Sequence, residues 1–377
     1  MKILHIITGL NNGGAEGVLY RLCRYDASAK HIIVSFMDEG KYGPLLNADG
    51  VEVVCLNLPV GKVSISALWR LFKLIRSHNP DLVQTWMYHA DLIGGVVARM
   101  AGVKKVFWNI RHTTLEPGKS KKSTILIAKL CALLSGFVPK MIVCCAEEAV
   151  RVHAALGYKL SKMMVIGNGY DLSQFSVNSQ FGSDFKAELS VNPDQVLLGM
   201  VGRFDPQKDH FGLLEALAIV KQTHSNFNFV LIGKLLSQSN TKLVEAINHY
   251  QLSENIVLLE QRTDIPVVMN GLDIHVLSSS FGEAFPNVLA EAMACGTPCV
   301  TTDVGDAALI VGNTGWVVPP KELNALANAI IEAIEEMQTS HQAWLKRKKD
   351  CRNRIVENFS IDMMLDNYHQ AWFGETR

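Results

Sequence analysis

Short runs of apolar residues recur along the chain, and most are followed by a longer stretch whose apolar positions return every three or four residues. Ile3–Ile7 is the first run, and its continuous apolar character predicts a strand buried on both faces. A glycine-rich turn follows, Gly9-Leu10-Asn11-Asn12-Gly13-Gly14, and a helical period then runs from Ala15 to Tyr25. His31–Phe36 and Val51–Leu56 predict the next strands, and Ala67–Ser77 a helix. Leu82–Thr85 and Lys105–Ile110 predict strands with a helix over Ala90–Ala101 between them. Met141–Cys145 and Met163–Ile166 predict two more strands. The alternation then restarts with strand Leu197–Val201, helix Phe211–Gln222, strand Phe229–Ile232, helix Asn240–Tyr250 and strands Ile256–Leu259 and Ile274–Leu277. A helix beginning near Pro286 and late strands at Pro298–Thr301 and Gly315–Val318 complete the second series. Alternation of this kind requires right-handed parallel crossovers, so the pattern predicts two doubly wound α/β sheets.

The restart places a domain boundary between Asn168 and Asn192. Ser173–Asp194 is polar with little periodicity and reads as a linker. A first Rossmann-like domain is therefore expected over 1–170 and a second over 171–358. Ser360–Phe373 has a helical stripe of Met364, Tyr368 and Trp372 with no strand after it, so the terminal helix, 359–377, is expected to pack back on the first domain.

Composition agrees with two cores: 377 residues, 48% hydrophobic and 19% charged. Lys plus Arg equals Asp plus Glu, 36 each, so global charge gives no footprint for a nucleic-acid partner, and none is expected. The eight cysteines form no Cys-x-x-Cys pair and read as buried reduced thiols, which suggests the cytoplasm. The N-terminal apolar run is too short for a signal peptide, and no run of about 18 apolar residues predicts a spanning helix. Lys119, Lys121 and Lys122 precede the apolar stretch Ile125–Leu134. That arrangement suits either a helix in a membrane surface, at the inner face of the membrane, or a crossover helix buried in the first domain, the second being favoured. Lys346-Arg347-Lys348-Lys349 reads as a solvated helix face.

Two constellations carry chemistry. In Ser278–Pro298 a strand ends, a loop holds Glu283, Pro286 suits a helix's first turn, and Glu291 follows eight positions on. Backbone N–H groups over 284–288 would face a ligand at a helix N-terminus, while Glu283 could meet a sugar hydroxyl and Glu291 a ribose diol. In Gly199–Asp209 a strand end carries Arg203 and then Lys208, two cations that suit a diphosphate and its growing charge on departure. The plainer reading of all four is a set of solvated side chains. Near the start, Gly13 and Gly14 let a backbone approach a ligand closely, or only pack a turn. His112 and, less strongly, His89 follow strands, where a histidine is more often structural than catalytic. Arg111 could meet an acidic acceptor group or remain a surface cation.

Gly202-Arg203 with Lys208-Asp209, the pair Glu283 and Glu291, the Phe285–Pro298 run, Asn168-Gly169 and Gly13-Gly14-Ala15-Glu16 together resemble the family 4 retaining glycosyltransferases, glycosyl transferases group 1, in particular members of bacterial polysaccharide and O-antigen assembly. The resemblance covers essentially the whole chain and is strongest over 199–320. It implies the GT-B fold, two Rossmann-like domains facing across a cleft, with the acceptor in the first and a nucleotide-sugar donor, UDP- or GDP-sugar, in the second. It implies a hexosyltransferase-type enzyme that needs no cofactor and no metal. By the same resemblance Arg203 and Lys208 hold the diphosphate and Glu291 the ribose. Glu283 and backbone amides near Phe285, Pro286, Asn287 and Val288 hold the transferred sugar, and His112 lies beside that sugar. Ala284 stands where the family often has glycine, which leaves the sugar's identity open. The implied acceptor is a glycan or lipid-linked molecule of cell-surface polysaccharide synthesis. A sugar-nucleotide epimerase of the same fold and a degenerate nucleotide-binding module are the competing readings; the complete Arg203, Lys208, Glu283 and Glu291 set argues against the second.

Overall fold

The computed structural model describes residues 1–59, 61, 64–113, 115, 120–192 and 194–374. Lys119, Pro193 of the expected linker, and the last three residues of the expected terminal helix lie outside them. The chain divides into two compact units, Met1–Gly169 together with Ile361 onward, and Tyr170–Ser360.

The first unit holds β1 (Lys2–Ile7), β2 (Lys30–Ser35), β3 (Glu52–Cys55), β4 (Leu82–Trp86), β5 (Val106–Ile110), β6 (Met141–Cys144) and β7 (Met163–Val165). They form a seven-stranded sheet in the order β3-β2-β1-β4-β5-β6-β7, all parallel. Strands covered on both faces need no polar alternation, which is why β1, β4 and β5 are almost wholly buried. The second unit holds β8 (Val196–Val201), β9 (Phe227–Ile232), β10 (Ile256–Leu259), β11 (Ile274–Leu277), β12 (Cys299–Thr302) and β13 (Trp316–Val318). Its six-stranded parallel sheet runs β10-β9-β8-β11-β12-β13. In each sheet the order reverses beside the first strand, between β1 and β4 and between β8 and β11, and ligands of open α/β sheets gather at the carboxyl ends there.

The terminal helix Ile361–Phe373 belongs to the first unit. Tyr368 and Trp372 are fully buried, Trp372 Nε1 donates to Gln84 Oε1 at 2.9 Å, and His369 Nε2 lies 2.8 Å from Asp26 Oδ2.

Several expectations need correction. The stretch read as a linker contains a helix, Ser179–Glu188, whose first N–H groups are capped by Asn178. It escaped the periodicity because only Gly182 and Phe185 face inward; a Cβ on Gly182 would come within 2.7 Å of Asn270 O on the neighbouring Ile265–Gly271 helix. The expected helix over Ala90–Ala101 is three pieces: a turn at Met87–His89, a π-helical segment at Ala90–Gly94, and an α-helix at Gly95–Met100. Arg347 is not merely solvated. It forms two hydrogen bonds to Glu336 and stacks 4.2 Å from the centroid of Trp316. All eight cysteines are free, with Cys55 half-buried and the others buried. Among the described residues no helix is long and apolar enough to cross a membrane.

Candidate functional site

In the second unit the site grows from the carboxyl ends of β8 and β11. After β8 the chain passes through Gly202 and Arg203 into a short 3₁₀ turn, Pro206–Lys208, capped by the Asp205 carboxylate on Gln207 N–H. Asp209 adopts φ 51°, in the left-handed region that a short polar side chain tolerates, and its carboxylate accepts from Gly212 N–H at the start of helix His210–Thr223. This turn folds Lys208 back over Gly202, where a Cβ would lie 3.3 Å from the lysine Cε.

Lys208 and Glu283 are each only 9% exposed, and Lys208 Nζ donates to Glu283 Oε1 at 2.6 Å. Ser279 Oγ donates to the same oxygen, also at 2.6 Å. The surrounding loops are tied together: Ser278 Oγ donates to Lys208 O at 2.8 Å, Ser280 N to Gln207 O at 2.9 Å, and Thr302 Oγ1 to Ser279 O at 2.5 Å. Behind Glu283, Asp306 N donates to Ala284 O at 2.9 Å, and Gly305, at φ 62°, passes too close to the Glu283 carbonyl for any side chain. A buried cation costs several kcal/mol unless it is paired, so Lys208 and Glu283 hold one another in place.

Arg203 is 60% exposed at its side chain, its Nε 3.0 Å from Asp205 Oδ2 and its NH2 3.4 Å from Gln207 Oε1. It stands at the same strand end as Lys208 but on the outside. Pro286 is the residue before helix Asn287–Ala294 rather than its first turn. Phe285 is buried against Tyr170 and Phe359, so a ligand would meet its backbone rather than its ring. Asn287 accepts from Tyr170 OH at 2.5 Å, Val288 packs partly on the core, and Glu291 is half-buried one turn into the helix.

Two histidines that the sequence did not single out flank Lys208. His210 and His275 are almost wholly buried, and their ring nitrogens have no hydrogen-bond partner among the described residues. Burial, then the Lys208 charge, pushes His210 down to about 4 and His275 down to about 3. Both rings are therefore neutral near pH 7. The signal for Ser279, His210 and His275 was present as polar residues beside apolar runs or, for His275, inside one, but such residues are too common to mark a site.

In the first unit Gly13 precedes helix Gly14–Tyr25, and the Glu16 carboxyl folds back over it, so a Cβ there would push that carboxyl aside. Burial raises the Glu16 carboxyl, against a bond from its own backbone N–H. A Cβ on Gly14 would meet nothing within 4 Å, so packing does not require glycine there. His112 and His89 follow the neighbouring strands β5 and β4, and both are half-buried. His112 lies edge-on to Tyr88 with ring centroids 6.3 Å apart. Tyr88 OH is 2.7 Å from His153 Nε2, and His153 Nδ1 is 2.6 Å from Ala149 O. A carbonyl only accepts, so the His153 proton sits on Nδ1 and Tyr88 donates to Nε2. The π-helical segment beside His89 carries Asp91, whose buried carboxyl is pushed well up by burial, against bonds from Thr85 Oγ1 and Asn109 N.

Arg111 is occupied as a clamp. Its Nε donates to Asn109 Oδ1 at 3.0 Å, its NH1 to Asn168 Oδ1, and its NH2 to Tyr368 OH at 2.6 Å, with the guanidinium 5.4 Å from the centroid of Trp86. An acidic acceptor group would have to compete with these contacts.

Among the described residues one trio of metal-ligating side chains stands close together, His5, Cys23 and His31, in the first unit's core. Trp86 Nε1 donates to His5 Nδ1 at 3.2 Å, which leaves the His5 proton on Nε2, 2.9 Å from His31 Nδ1. The Nδ1 lone pairs of both histidines are thus already used.

Residues 183–350 match the family model described as Glycosyl transferases group 1, and residues 12–174 the model described as Glycosyltransferase Family 4. The UDP-Gal:alpha-D-GlcNAc-diphosphoundecaprenol alpha-1,3-galactosyltransferase of Escherichia coli is 26% identical over 323 residues, 84% of this chain and 81% of that protein. The capsular polysaccharide biosynthesis glycosyltransferase CapM of Staphylococcus aureus is 23% identical over 98% of this chain and 96% of its own. The crystal structure of Anabaena Alr3699/HepE in complex with UDP superposes with a TM-score of 0.85 at 22% identity, covering 98% of this chain and 99% of that one. TarM gives a TM-score of 0.77 at 12% identity.

Proposed function

We propose, for a chain that belongs to the group 1 and family 4 glycosyltransferases and is an enzyme of the hexosyltransferase type, that it moves a sugar from a UDP- or GDP-sugar, with retention, to a glycan or lipid-linked acceptor of cell-surface polysaccharide synthesis. The observation that carries this reading is Lys208: a buried ammonium at the carboxyl end of β8 that directs one hydrogen bond within the described residues, to Glu283. An ammonium has three N–H donors, so a diphosphate can engage the other two. UDP is favoured over GDP by the HepE complexes with UDP and with UDP-glucose, and by the UDP-Gal in the name of the Escherichia coli relative. The diphosphoundecaprenol in that name supports a lipid-linked acceptor at a membrane surface.

In the proposed reaction the bond from the anomeric carbon to the leaving phosphate oxygen breaks, and a bond to the acceptor hydroxyl oxygen forms on the same face. The acceptor proton passes to a phosphate oxygen. Lys208 and Arg203 stabilise the charge that grows on the departing diphosphate, which is the work a metal would otherwise do. Glu283 and the amides around Phe285–Val288 orient the sugar, Glu291 holds the ribose, and His112 stands beside the sugar. Gly13 and Gly14 admit the substrate at the first unit.

The test is release of nucleoside diphosphate from UDP-sugars and GDP-sugars, with and without a lipid extract as acceptor, in the presence of EDTA. Acceptor-dependent release of UDP, insensitive to EDTA and reduced about 10²–10³-fold in Lys208→Ala, is expected. A Lys208→Ala enzyme that turns over near the wild-type rate, or conversion of the nucleotide-sugar with no transfer, overturns the reading.

A further inference from the structure

We infer that the outward face of helix Lys122–Leu134, continued by Phe137, docks on an anionic lipid bilayer. The inference deepens the lipid-linked reading of the acceptor, and it rests on that reading only for its biological purpose.

The helix is turned inside out relative to an ordinary surface helix. Its buried positions are small, Ala128, Cys131 and Ala132. Leu126, Leu130, Leu133 and Phe137 are exposed, the last two at 73% and 79%. Their spacing of four, three and four residues puts them on one stripe. A contiguous exposed apolar stripe of this kind marks an interaction surface rather than chance exposure.

Charge decides the occupant. The chain as a whole is balanced, yet residues 117–146 contain five lysines and no Asp or Glu, and residues 157–170 contain two lysines and no acid. The second stretch lies against the end of the helix: Lys162 Nζ donates to Gly136 O at 2.6 Å and Pro139 O at 2.7 Å. Lys122 and Lys129 alternate with the exposed leucines on the helix itself. Leucines that enter the acyl boundary and lysines that meet lipid phosphates are the two components of an interfacial helix. A second copy of the chain fits poorly, since a two-fold interface would set the same lysines against each other. The helix is 13 residues long and does not qualify as a span, so it would lie in the surface plane.

The experiment is co-sedimentation of the full chain with vesicles of phosphatidylcholine alone and of phosphatidylcholine mixed with phosphatidylglycerol. Light scattering and the UDP-induced shift in melting midpoint are recorded on the same samples. Binding to the anionic vesicles only, weakened by salt, is expected. Leu133→Ser/Phe137→Ser and Lys122→Glu/Lys129→Glu should each lower the bound-to-free ratio by about tenfold or more, while Leu345→Ser, an exposed leucine of the second unit, leaves it unchanged. The UDP shift should persist in every variant, which shows that they fold. Equal binding by wild type and the two α-helical double variants overturns the docking surface. So does a dimer that Leu133→Ser/Phe137→Ser dissolves. A UDP shift without vesicle binding removes the docking surface and leaves the donor reading intact; vesicle binding with no melting shift from either UDP or GDP does the reverse.

Discussion

Replacing Lys208 by methionine keeps the stem of the side chain and removes its charge. Glu283 is then left 9% exposed, keeping the hydrogen bond from Ser279 Oγ but losing the cation beside it. Breaking one partner out of a buried ion pair costs about 3–5 kcal/mol, because the survivor stays desolvated. For a domain the size of the second unit each kcal/mol lowers the melting midpoint by roughly 2–4 °C, so a fall on the order of 10 °C is expected. Glu283→Gln preserves shape and the Ser279 contact, and should cost less. The double variant removes both charges and should recover much of the loss, so the cycle returns a coupling of about 1–3 kcal/mol. Calorimetry on the four proteins, with UDP-sugar turnover measured alongside, completes the test. If Lys208→Met melts within a degree or two of wild type, or the two changes add without coupling, the pair does not hold this loop and the argument from burial is wrong.

Gly14→Ala places a methyl where nothing lies within 4 Å; the helix should gain about 0.5–1 kcal/mol, while turnover falls if substrate approaches the backbone there, and unchanged turnover would return the turn to mere packing. Folded His275 stays neutral because burial, then Lys208, holds it down to about 3, whereas the unfolded imidazole takes a proton below about pH 6.5. Its stabilising contribution is therefore complete above that pH and is lost as pH falls toward 3, by up to ~1.4 kcal/mol per pH unit. His275→Leu should match or exceed wild-type stability at pH 7 and gain on it at pH 5; midpoints that fall in parallel refute this. Arg111→Met removes the donors that Asn109, Asn168 and Tyr368 accept from the guanidinium and should cost about 2–4 kcal/mol, seen as earlier proteolysis of the terminal helix; loss of activity at full stability would instead favour an acceptor-binding role.

The parallel sheets were legible because strands covered on both faces are apolar at nearly every position, and β1, β5, β8 and β11 are such runs, interrupted by His5, Asn109 and His275. Lys208 and Glu283 stood out as a cation and a carboxylate at two strand ends, and the fold brings them to 2.6 Å. What the sequence could not show was contact-dependent. Helix Ser179–Glu188 buries Phe185 and Gly182 alone, too little for a period. Arg111 reads like a free cation until Asn168 and Tyr368, 57 and 257 residues away, arrive beside it. Arg347 reads like its lysine neighbours until Glu336 and Trp316 claim it. The outward leucines of helix Lys122–Leu134 are invisible to composition, since an apolar helix does not say which face it buries.

The buried charges of this chain separate by what they have left to offer. Asp26 is an acceptor, and Ser28 N, Ser28 Oγ and His369 Nε2 converge on it at 3.1, 2.6 and 2.8 Å, with His31 Nε2 at 3.3 Å. Burial raises its carboxyl, but bonds from His31, Ser28 and His369 outweigh this and hold it well below the usual carboxylate range. A carboxylate so fully engaged fastens the terminal helix and has little capacity for a ligand. Arg111 is similar: each of its three nitrogens already donates within the first unit. Lys208 differs, since Glu283 neutralises its charge yet takes one of its three N–H groups. A diphosphate supplies several acceptor oxygens and can take the other two without disturbing Ser279, so the pair keeps the cation folded and available. On the proposed reading stability and substrate binding therefore meet at one side chain, so a loss at Lys208 should appear in both the melting curve and the rate.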